Sequence, residues 1–268
     1  MIVDAHFHLF KEFYQYQYVG LTKDIDRIVS RLFGKGKLEQ AWVLAFPGIR
    51  QEAGNEDVLE VARRYPDLFV PFGYLDLRKS TGVVEQLKES GFVGLKSIFP
   101  PYPYGDERLF PFYEKAEALR MPILFHTGRC GIFPPYVLSD EFSLASQSTA
   151  YHNPRATSAI ADEFPELRII IGHSGCPWHL EAAEICKTHR NVYMDISAYP
   201  SEQDLRDILA TGISASQVLF GSDFPVCHPL ERLYRWEVVF THFYRLGEDD
   251  QSKIFGGNAL RILSELRS

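Results

Sequence analysis

Leu167-Arg-Ile-Ile-Ile-Gly-His173-Ser-Gly175 is a short apolar run that ends on a histidine between small residues. A run of consecutive apolar residues is typical of a strand that is buried on both faces, as in a parallel sheet. The pattern recurs in Val218-Leu-Phe-Gly221, which is followed by Ser222 and Asp223. Repetition of such runs along the chain predicts a parallel α/β fold.

Eight runs of this kind are predicted strands, and amphipathic segments separate them. The strands are Ile2–Phe7, Gln40–Phe46, Leu68–Leu75, Val93–Phe99, Ile123–His126, Leu167–Gly172, Val192–Ser197 and Val218–Gly221. Eight β–α alternations in 268 residues favour an α/β fold of the (β/α)8 TIM barrel type, with residues 1–268 as a single domain. The rival is a doubly wound open sheet. Because no G-x-G-x-x-G or G-x-x-x-x-G-K motif follows a strand, a nucleotide-binding version of that fold would lack its phosphate loop.

Capping residues mark the starts of several helices. Asn55 and Asn153 are predicted N-caps, the latter with Pro154 at the first helical position, and Ser201-Glu-Gln-Asp204 is a variant of the capping box. The apolar pattern of residues 251–266 predicts one packed terminal helix. Three post-strand segments, 10–20, 100–106 and 129–153, are aromatic-rich or long, and in a barrel they would rim the catalytic face.

Composition and charge exclude several classes of protein. The chain has 28 Lys and Arg against 35 Asp and Glu, a net charge of −7, which argues against a nucleic-acid partner. No apolar run approaches the ~20 residues of a membrane-spanning helix, and the N-terminus has no signal-peptide pattern. The four cysteines form no C-x-x-C pair, so neither a disulfide framework nor a zinc ribbon is expected. We therefore expect a cytoplasmic protein.

Residues that can bind a metal occur at the ends of four predicted strands. His6 and His8 are two positions apart on the first strand, so both side chains point to the same face. His126 ends the fifth strand, His173 follows the sixth and Asp223 follows the eighth. Each one alone could be a core histidine or a turn aspartate. Because barrel enzymes take their catalytic residues from the C-terminal ends of different strands, five such residues on four strands favour one common site.

This ordered set resembles the amidohydrolase superfamily, in its amidohydrolase-related (amidohydrolase 2) branch of metal-dependent TIM-barrel hydrolases and decarboxylases. The resemblance runs from Val3-Asp-Ala-His6-Phe-His8 through His126 and Gly172-His173-Ser-Gly175 to Gly221-Ser-Asp223-Phe-Pro225, and ends in Gly257-Asn-Ala-Leu-Arg-Ile-Leu263. It covers the whole chain, and it is specific for the superfamily but not for the substrate.

The resemblance implies a role for each of these residues. His6, His8, His126 and Asp223 would bind one divalent metal ion, with zinc expected first and manganese or iron as alternatives. His173 would be catalytic beside a metal-bound water, and Asp223 would also be catalytic as a proton shuttle. Three imidazoles and a carboxylate suit a Zn²⁺-type ion that keeps an open position.

Two further residues are predicted to bind substrate. Lys96, on the fourth strand, is either a substrate-facing or ion-paired ammonium, or a carboxylated lysine that bridges two metals as in two-metal relatives. We favour one metal over two. Arg129, three residues beyond His126, is either a fork for a substrate carboxylate or a loop arginine in a salt bridge.

The predicted activity is that of a metal-dependent hydrolase, in which an activated water attacks the carbonyl of an amide, lactone or ester of a small, carboxylated or cyclic substrate. The alternative is a non-oxidative decarboxylase of an aromatic or unsaturated carboxylic acid. The aromatic segments and Arg129 favour the decarboxylase, whereas the short chain favours the hydrolase. A barrel that binds ligand without turnover is disfavoured by the complete ligand set with His173. The expected partner is a small-molecule substrate, with no nucleic acid and no membrane, and a homodimer is left open.

Overall fold

Eight parallel strands form one sheet whose order follows the chain from β1 to β8. The computed structural model describes residues 1–9, 24–47, 53–129, 149–198 and 200–266. The strands are β1 (Val3–Phe7), β2 (Gln40–Leu44), β3 (Phe69–Tyr74), β4 (Gly94–Ser97), β5 (Ile123–Phe125), β6 (Ile169–Ile171), β7 (Val192–Asp195) and β8 (Val218–Leu219).

The eighth strand meets the first, which closes the sheet. The amide of Ala5 donates to the carbonyl of Phe220 at 2.9 Å, and the amide of Asp223 donates to the carbonyl of His6 at 2.7 Å. The predicted TIM barrel is therefore confirmed. These contacts also bring the first histidine strand and the Asp223 segment side by side.

Helices lie between the strands and after the last one. They are α1 (Ile25–Leu32), α2 (Asn55–Arg64), α3 (Val83–Ser90), α4 (Phe110–Ala118), α5 (Ala156–Glu163), α6 (His179–Thr188), α7 (Glu202–Ala210), α8 (Pro229–Val238), α9 (Glu248–Ser252) and α10 (Asn258–Glu265). None of the helices in the described ranges has the length and hydropathy required to cross a membrane.

The predicted helix starts are partly correct. Ser201 and Asp204 form the expected capping box at α7. Asn55, in contrast, is the first residue of α2 and not its N-cap, because its side-chain oxygen accepts from the amide of Tyr74 at 2.7 Å. Asn153 likewise lies before the helix, where its side chain accepts from the amide of Arg155 at 2.9 Å. The side chains of Asn55 and Asn153 therefore bind a neighbouring strand and a turn, and do not cap the helices that follow.

The terminal segment is not one helix. A π-helical turn, Lys253–Gly257, separates α9 from α10. The backbone of Gly256 is not helical (φ 179°, ψ −31°), and a Cβ at this position would collide with the carbonyl oxygen of Met1. The close approach fastens the C-terminal segment to the start of β1.

Two buried clusters fill the two faces of the sheet. Successive strand residues point to opposite faces, and the larger cluster joins one face to the surrounding helices. The smaller cluster includes Trp42, Leu44, Phe72, Leu124, Ile170, Tyr193 and Leu219, together with Ile262 of α10. The barrel interior is thus packed with apolar side chains, and α10 packs on the same cluster. Among the residues of the predicted site, His6 and Lys96 lie near the ends of β1 and β4, and the others follow strand ends.

Candidate metal centre

Three predicted ligands converge at the C-terminal end of the barrel. The Nε2 atoms of His6 and His8 lie 3.4 and 3.3 Å from the same oxygen, Oδ1 of Asp223. Donor atoms of these three residues all lie within 4.8 Å of one another, and all three residues are buried. The structure therefore brings together a donor group from β1 and from the segment after β8.

The second nitrogen of each imidazole is held by the protein. Nδ1 of His8 lies 2.8 Å from the carbonyl oxygen of Leu44, which can only accept, so Nδ1 carries the proton. Nδ1 of His6 lies 2.8 Å from a carboxylate oxygen of Asp195. Both Nε2 atoms are thereby left with a lone pair that faces Asp223. This is the arrangement in which histidines bind metal, and the donor set fits a divalent ion.

Two of the site residues have a left-handed backbone. His173 has φ 55° and Asp223 has φ 61°, a conformation that non-glycine residues seldom adopt. The turn at Asp223 is fixed on both sides, because its amide donates to His6 and its carbonyl accepts from Val226 at 2.8 Å. Tight packing supports this turn, since a Cβ at Gly221 would lie 2.7 Å from the Cβ of His6. Strain of this kind concentrates at functional sites.

His126 lies beside this donor group and contacts His173. Nδ1 of His126 is 3.1 Å from Nε2 of His173, and Nε2 of His126 is 3.1 Å from the carbonyl oxygen of Arg129. Because the carbonyl can only accept, Nε2 of His126 donates to it. Nδ1 of a neutral His126 then accepts from His173. Both nitrogens of His126 are thus engaged with protein groups, and its role as a metal ligand stays a prediction.

A second donor group, His6, His173 and Asp195, is a hydrogen-bond network. Oδ2 of Asp195 faces His6, and Oδ1 accepts from the backbone amides of His173 at 2.9 Å and Ser197 at 3.0 Å. The hydroxyl of Ser197 lies 2.9 Å from Nδ1 of His173 and 3.1 Å from Nδ1 of His6. Both oxygens of Asp195 already have donors, so this carboxylate orients two histidines.

Ser197 and Leu44 are the site residues that the sequence did not reveal. The spacing Asp195-Ile-Ser197 places both side chains on one face of β7 and its continuation, which is a signal that could have identified Ser197. The contact of Leu44 uses a main-chain carbonyl, for which a sequence carries no residue-specific signal.

Lys96 lies at the centre of the site. Its side chain is fully buried, and Nζ lies 3.4 Å from Nε2 of His6. This lysine therefore lies near the histidines of the site. Whether its ammonium binds substrate or is carboxylated remains a prediction.

Burial sets the charge of the site residues. Loss of water lowers the pKa of His6, His126 and His173 well below the usual range, and the positive charge of Lys96 adds to this effect at His6. Burial raises the pKa of the Asp223 carboxyl, against an opposing electrostatic effect of the neighbouring His8. The imidazoles are consequently neutral at pH 7, which is the form that binds metal.

Arg129 contributes its backbone to the site. Its carbonyl faces His126, and its amide donates to the carbonyl of Cys176 at 2.8 Å. Arg129 as a whole is exposed. The predicted carboxylate fork is therefore not among the buried donor groups. The predicted rim segment 10–20 lies outside the described residues, and so do residues 130–148 of the predicted rim segment 129–153.

A sequence model of a protein family described as "Amidohydrolase" matches residues 3–264. The chain belongs to this amidohydrolase family. The resemblance that the strand-end motifs indicated is thereby confirmed, and with it the assignment to a family of enzymes.

The chain is similar to several named relatives. It is 30% identical over 182 residues to γ-resorcylate decarboxylase of Rhodococcus jostii, a match that covers 57% of this chain and 53% of that protein. It is 26% identical over 251 residues to γ-resorcylate decarboxylase of a Rhizobium species, covering 78% of this chain and 74% of that protein. A shorter match, 28% over 149 residues, is to L-fucono-1,5-lactonase of Burkholderia ambifaria and covers 46% of this chain and 50% of that protein.

Solved structures share the fold of this chain. A TIM-barrel protein of Bordetella bronchiseptica superposes with a TM-score of 0.78 at 20% identity, covering 100% and 99% of the two chains. A dihydroxybenzoic acid decarboxylase of a Polaromonas species superposes with a TM-score of 0.65 at 21% identity, covering 99% and 98%, and that structure holds manganese. At these identities the likeness shows the fold alone.

Proposed function

We propose that this member of the amidohydrolase family is a metal-dependent, non-oxidative decarboxylase of a small aromatic carboxylic acid. This reverses the order of the two activities that the sequence favoured, in which hydrolysis came first. The relative that matches along about three-quarters of the chain supports the change, because it is named as a decarboxylase.

The observation that carries the proposal is the buried side-chain nitrogen of Lys96 beside the donor group. A carboxylate that enters a desolvated site needs a positive partner, whereas a neutral lactone or ester does not. Lys96, together with a cation held by His6, His8 and Asp223, would provide that charge. Arg129 remains a proposed additional contact of the substrate carboxylate at the exposed side.

A divalent ion bound by these residues would supply positive charge that orients and polarises the substrate. Zinc remains our proposal for that ion, with manganese as the alternative that one structural relative holds. The donor atoms are nitrogen and oxygen, which suit both ions.

Asp223 is positioned to move the proton that the reaction requires. Its Oδ1 faces the two imidazoles, which leaves the second carboxyl oxygen for proton transfer. The Asp223 carboxyl donates its proton to the ring carbon that bears the carboxylate. The bond from that carbon to the carboxylate then breaks, its electron pair returns to the ring and carbon dioxide leaves. Asp223 recovers a proton from solvent.

The test is product analysis with the metal-loaded protein. Hydroxybenzoic acids are incubated with it in D₂O, carbon dioxide is measured, and the product is examined by NMR. We expect release of carbon dioxide, with one deuterium on the carbon that lost it. The Asp223→Asn variant should give neither. Absence of carbon dioxide from every acid offered would contradict the proposal.

Hydrolysis is the second candidate, and the position of His173 is the observation that favours it. A neutral His173 would accept a proton from an attacking water if that water replaced one of its two contacts, Ser197 or His126. The similarity to a lactonase points in the same direction. Ring opening of lactones by the metal-loaded protein, without carbon dioxide release from acids, would establish this candidate in place of the first.

A further inference from the structure

A cavity of about 320 Å³ lies at the start of α8. It is lined by Val226, Cys227, His228, Glu231, Arg232 and Arg235. The amide of Val226 donates to the carbonyl of Asp223 at 2.8 Å, so the cavity begins within one tight turn of a proposed metal ligand and proton donor.

Arg232 is the unusual residue of this cavity. The residue is only 7% exposed. Its Nη2 donates to the carbonyl oxygen of Ala198, which follows β7, and lies 3.0 Å from the sulfur of Cys227. Its guanidinium carbon lies 5.2 Å from the ring of Trp236. All of these contacts are with neutral groups.

Within the described residues, no carboxylate lies within ion-pair distance of Arg232. Buried arginines ordinarily have such a partner, because an uncompensated buried charge is costly. The guanidinium carries five N–H donors in a planar fork, and the contacts above use one nitrogen. The remaining donors can receive an anion without breaking a protein ion pair.

The other charged groups of the cavity do not fill this role. Arg235 pairs with Glu202 at 3.2 Å, so its charge is already matched by a carboxylate. Glu231 lies near enough to His228 for its negative charge to raise the pKa of that imidazole, although burial lowers it overall. Arg232 is thus the cation that an incoming anion would meet, and Glu231 is a negative charge that would weaken such binding.

We propose that this cavity is a subsite for a second anionic group of the substrate, a carboxylate bound by the guanidinium of Arg232. The inference rests on the proposed function, because it assigns the reacting carboxylate to the metal centre. It specifies the substrate class as an aromatic acid that carries a second acidic group. The fork geometry of arginine suits a carboxylate, which can accept two parallel hydrogen bonds.

The test compares the binding of unreactive acids to the metal-loaded protein by calorimetry. Benzoate is compared with benzene-1,3- and benzene-1,4-dicarboxylate. We expect at least one dicarboxylate to bind about tenfold more tightly than benzoate, the effect of one charge-assisted contact. Arg232→Gln should reduce that ratio to about one, whereas Arg235→Gln should leave it unchanged. Glu231→Gln should increase it.

Arg232 also joins two loops, so its removal can affect stability. The readout is therefore the ratio of two affinities in the same variant, which loss of stability alone does not change. Arg232→Lys keeps the charge and should retain part of the preference. Equal ratios in wild type and Arg232→Gln, or no preference for a dicarboxylate in wild type, would overturn the subsite. Preference for a dicarboxylate, together with no carbon dioxide release in the separate product analysis, would instead overturn decarboxylation and leave the subsite standing.

Discussion

Nδ1 of His6 lies 2.8 Å from Oδ2 of Asp195, and both side chains are fully buried. The carboxylate keeps the imidazole proton on Nδ1 and turns the Nε2 lone pair toward Asp223. The other oxygen of Asp195 accepts from the amide of His173 at 2.9 Å. One carboxylate on β7 therefore orients groups from β1 and from the segment after β6.

The first prediction concerns this carboxylate. Asp195→Asn offers an N–H group to the nitrogen of His6 that donates now, which favours the tautomer that places a proton on Nε2. We expect affinity for divalent metal to fall about 10–100-fold, the usual effect of losing such a partner. Competition with a chromophoric chelator measures it. The matched control is Asp162→Asn, which alters an exposed carboxylate 3.0 Å from Nε2 of His189. Equal affinities in the two variants would remove the orienting role.

The second prediction tests whether His126 is a metal ligand. Its Nε2 donates to the carbonyl of Arg129, so metal binding must exchange that hydrogen bond for a bond to the ion. We expect His126→Gln to lower metal affinity at least about tenfold, since one of the four proposed ligands is lost. His152 is a buried histidine whose ring centroid lies 5.3 Å from that of His126, and His152→Gln is the control. If both variants retain metal with wild-type affinity, the ligand set is limited to His6, His8 and Asp223.

The strands could be predicted because their signal is strong. Short apolar runs bounded by turn residues are typical of strands that are buried on both faces, and all eight predicted strands overlap the observed ones. The predicted strands extend past the observed ends, as at β4 and β6, where Phe99 and Gly172 lie beyond the strand. At both strands the hydrogen bonding between strands stops early, because the residues that follow turn toward the site.

The meeting of the site residues could also be predicted, because parallel strands bring their C-terminal ends to one rim. The orientation of the His8 and His126 imidazoles could not. It depends on the carbonyls of Leu44 and Arg129, and every residue carries a carbonyl. The burial of Arg232 could not be predicted for a related reason. On a helix an arginine ordinarily reaches solvent, and the burial of this one depends on the distant loop at Ala198.

The third prediction concerns the charge of Lys96. Lys96→Met keeps most of the side-chain volume and removes the ammonium. We expect KM for a carboxylate substrate to rise at least about tenfold, because a buried charge-assisted contact is lost. The metal content should remain one ion per chain. Lys88→Met, at an exposed lysine of α3, is the control. A fall from two ions per chain to fewer would show instead that Lys96 is a carboxylated bridge between two metals.

The last prediction concerns the pH dependence of stability in the metal-free protein. Asp4 is fully buried, and burial raises the pKa of its carboxyl from 3.8 to about 7. It accepts from the hydroxyl and the amide of Ser222, and so joins β1 to the segment after β8. The folded protein therefore keeps a proton on Asp4 between about pH 4 and pH 7, where the unfolded chain has released it.

Because the pKa of Asp4 is raised in the folded protein, its protonation contributes to the free energy of unfolding. This contribution is complete below about pH 4 and is lost as the pH rises through about 7. Asp4→Asn is neutral throughout, so the stability of wild type should fall relative to this variant across that range. One pKa unit corresponds to about 1.4 kcal/mol, which limits the change to a few kcal/mol. Urea unfolding of both proteins from pH 4.5 to 8 measures it. Asp106→Asn is the control. The difference in stability between wild type and this variant should not change with pH, because Arg108 lowers the pKa of Asp106 to about 2 and the carboxyl stays ionised throughout the range. Stability curves that run parallel for wild type and Asp4→Asn would mean that Asp4 is ionised in the folded barrel.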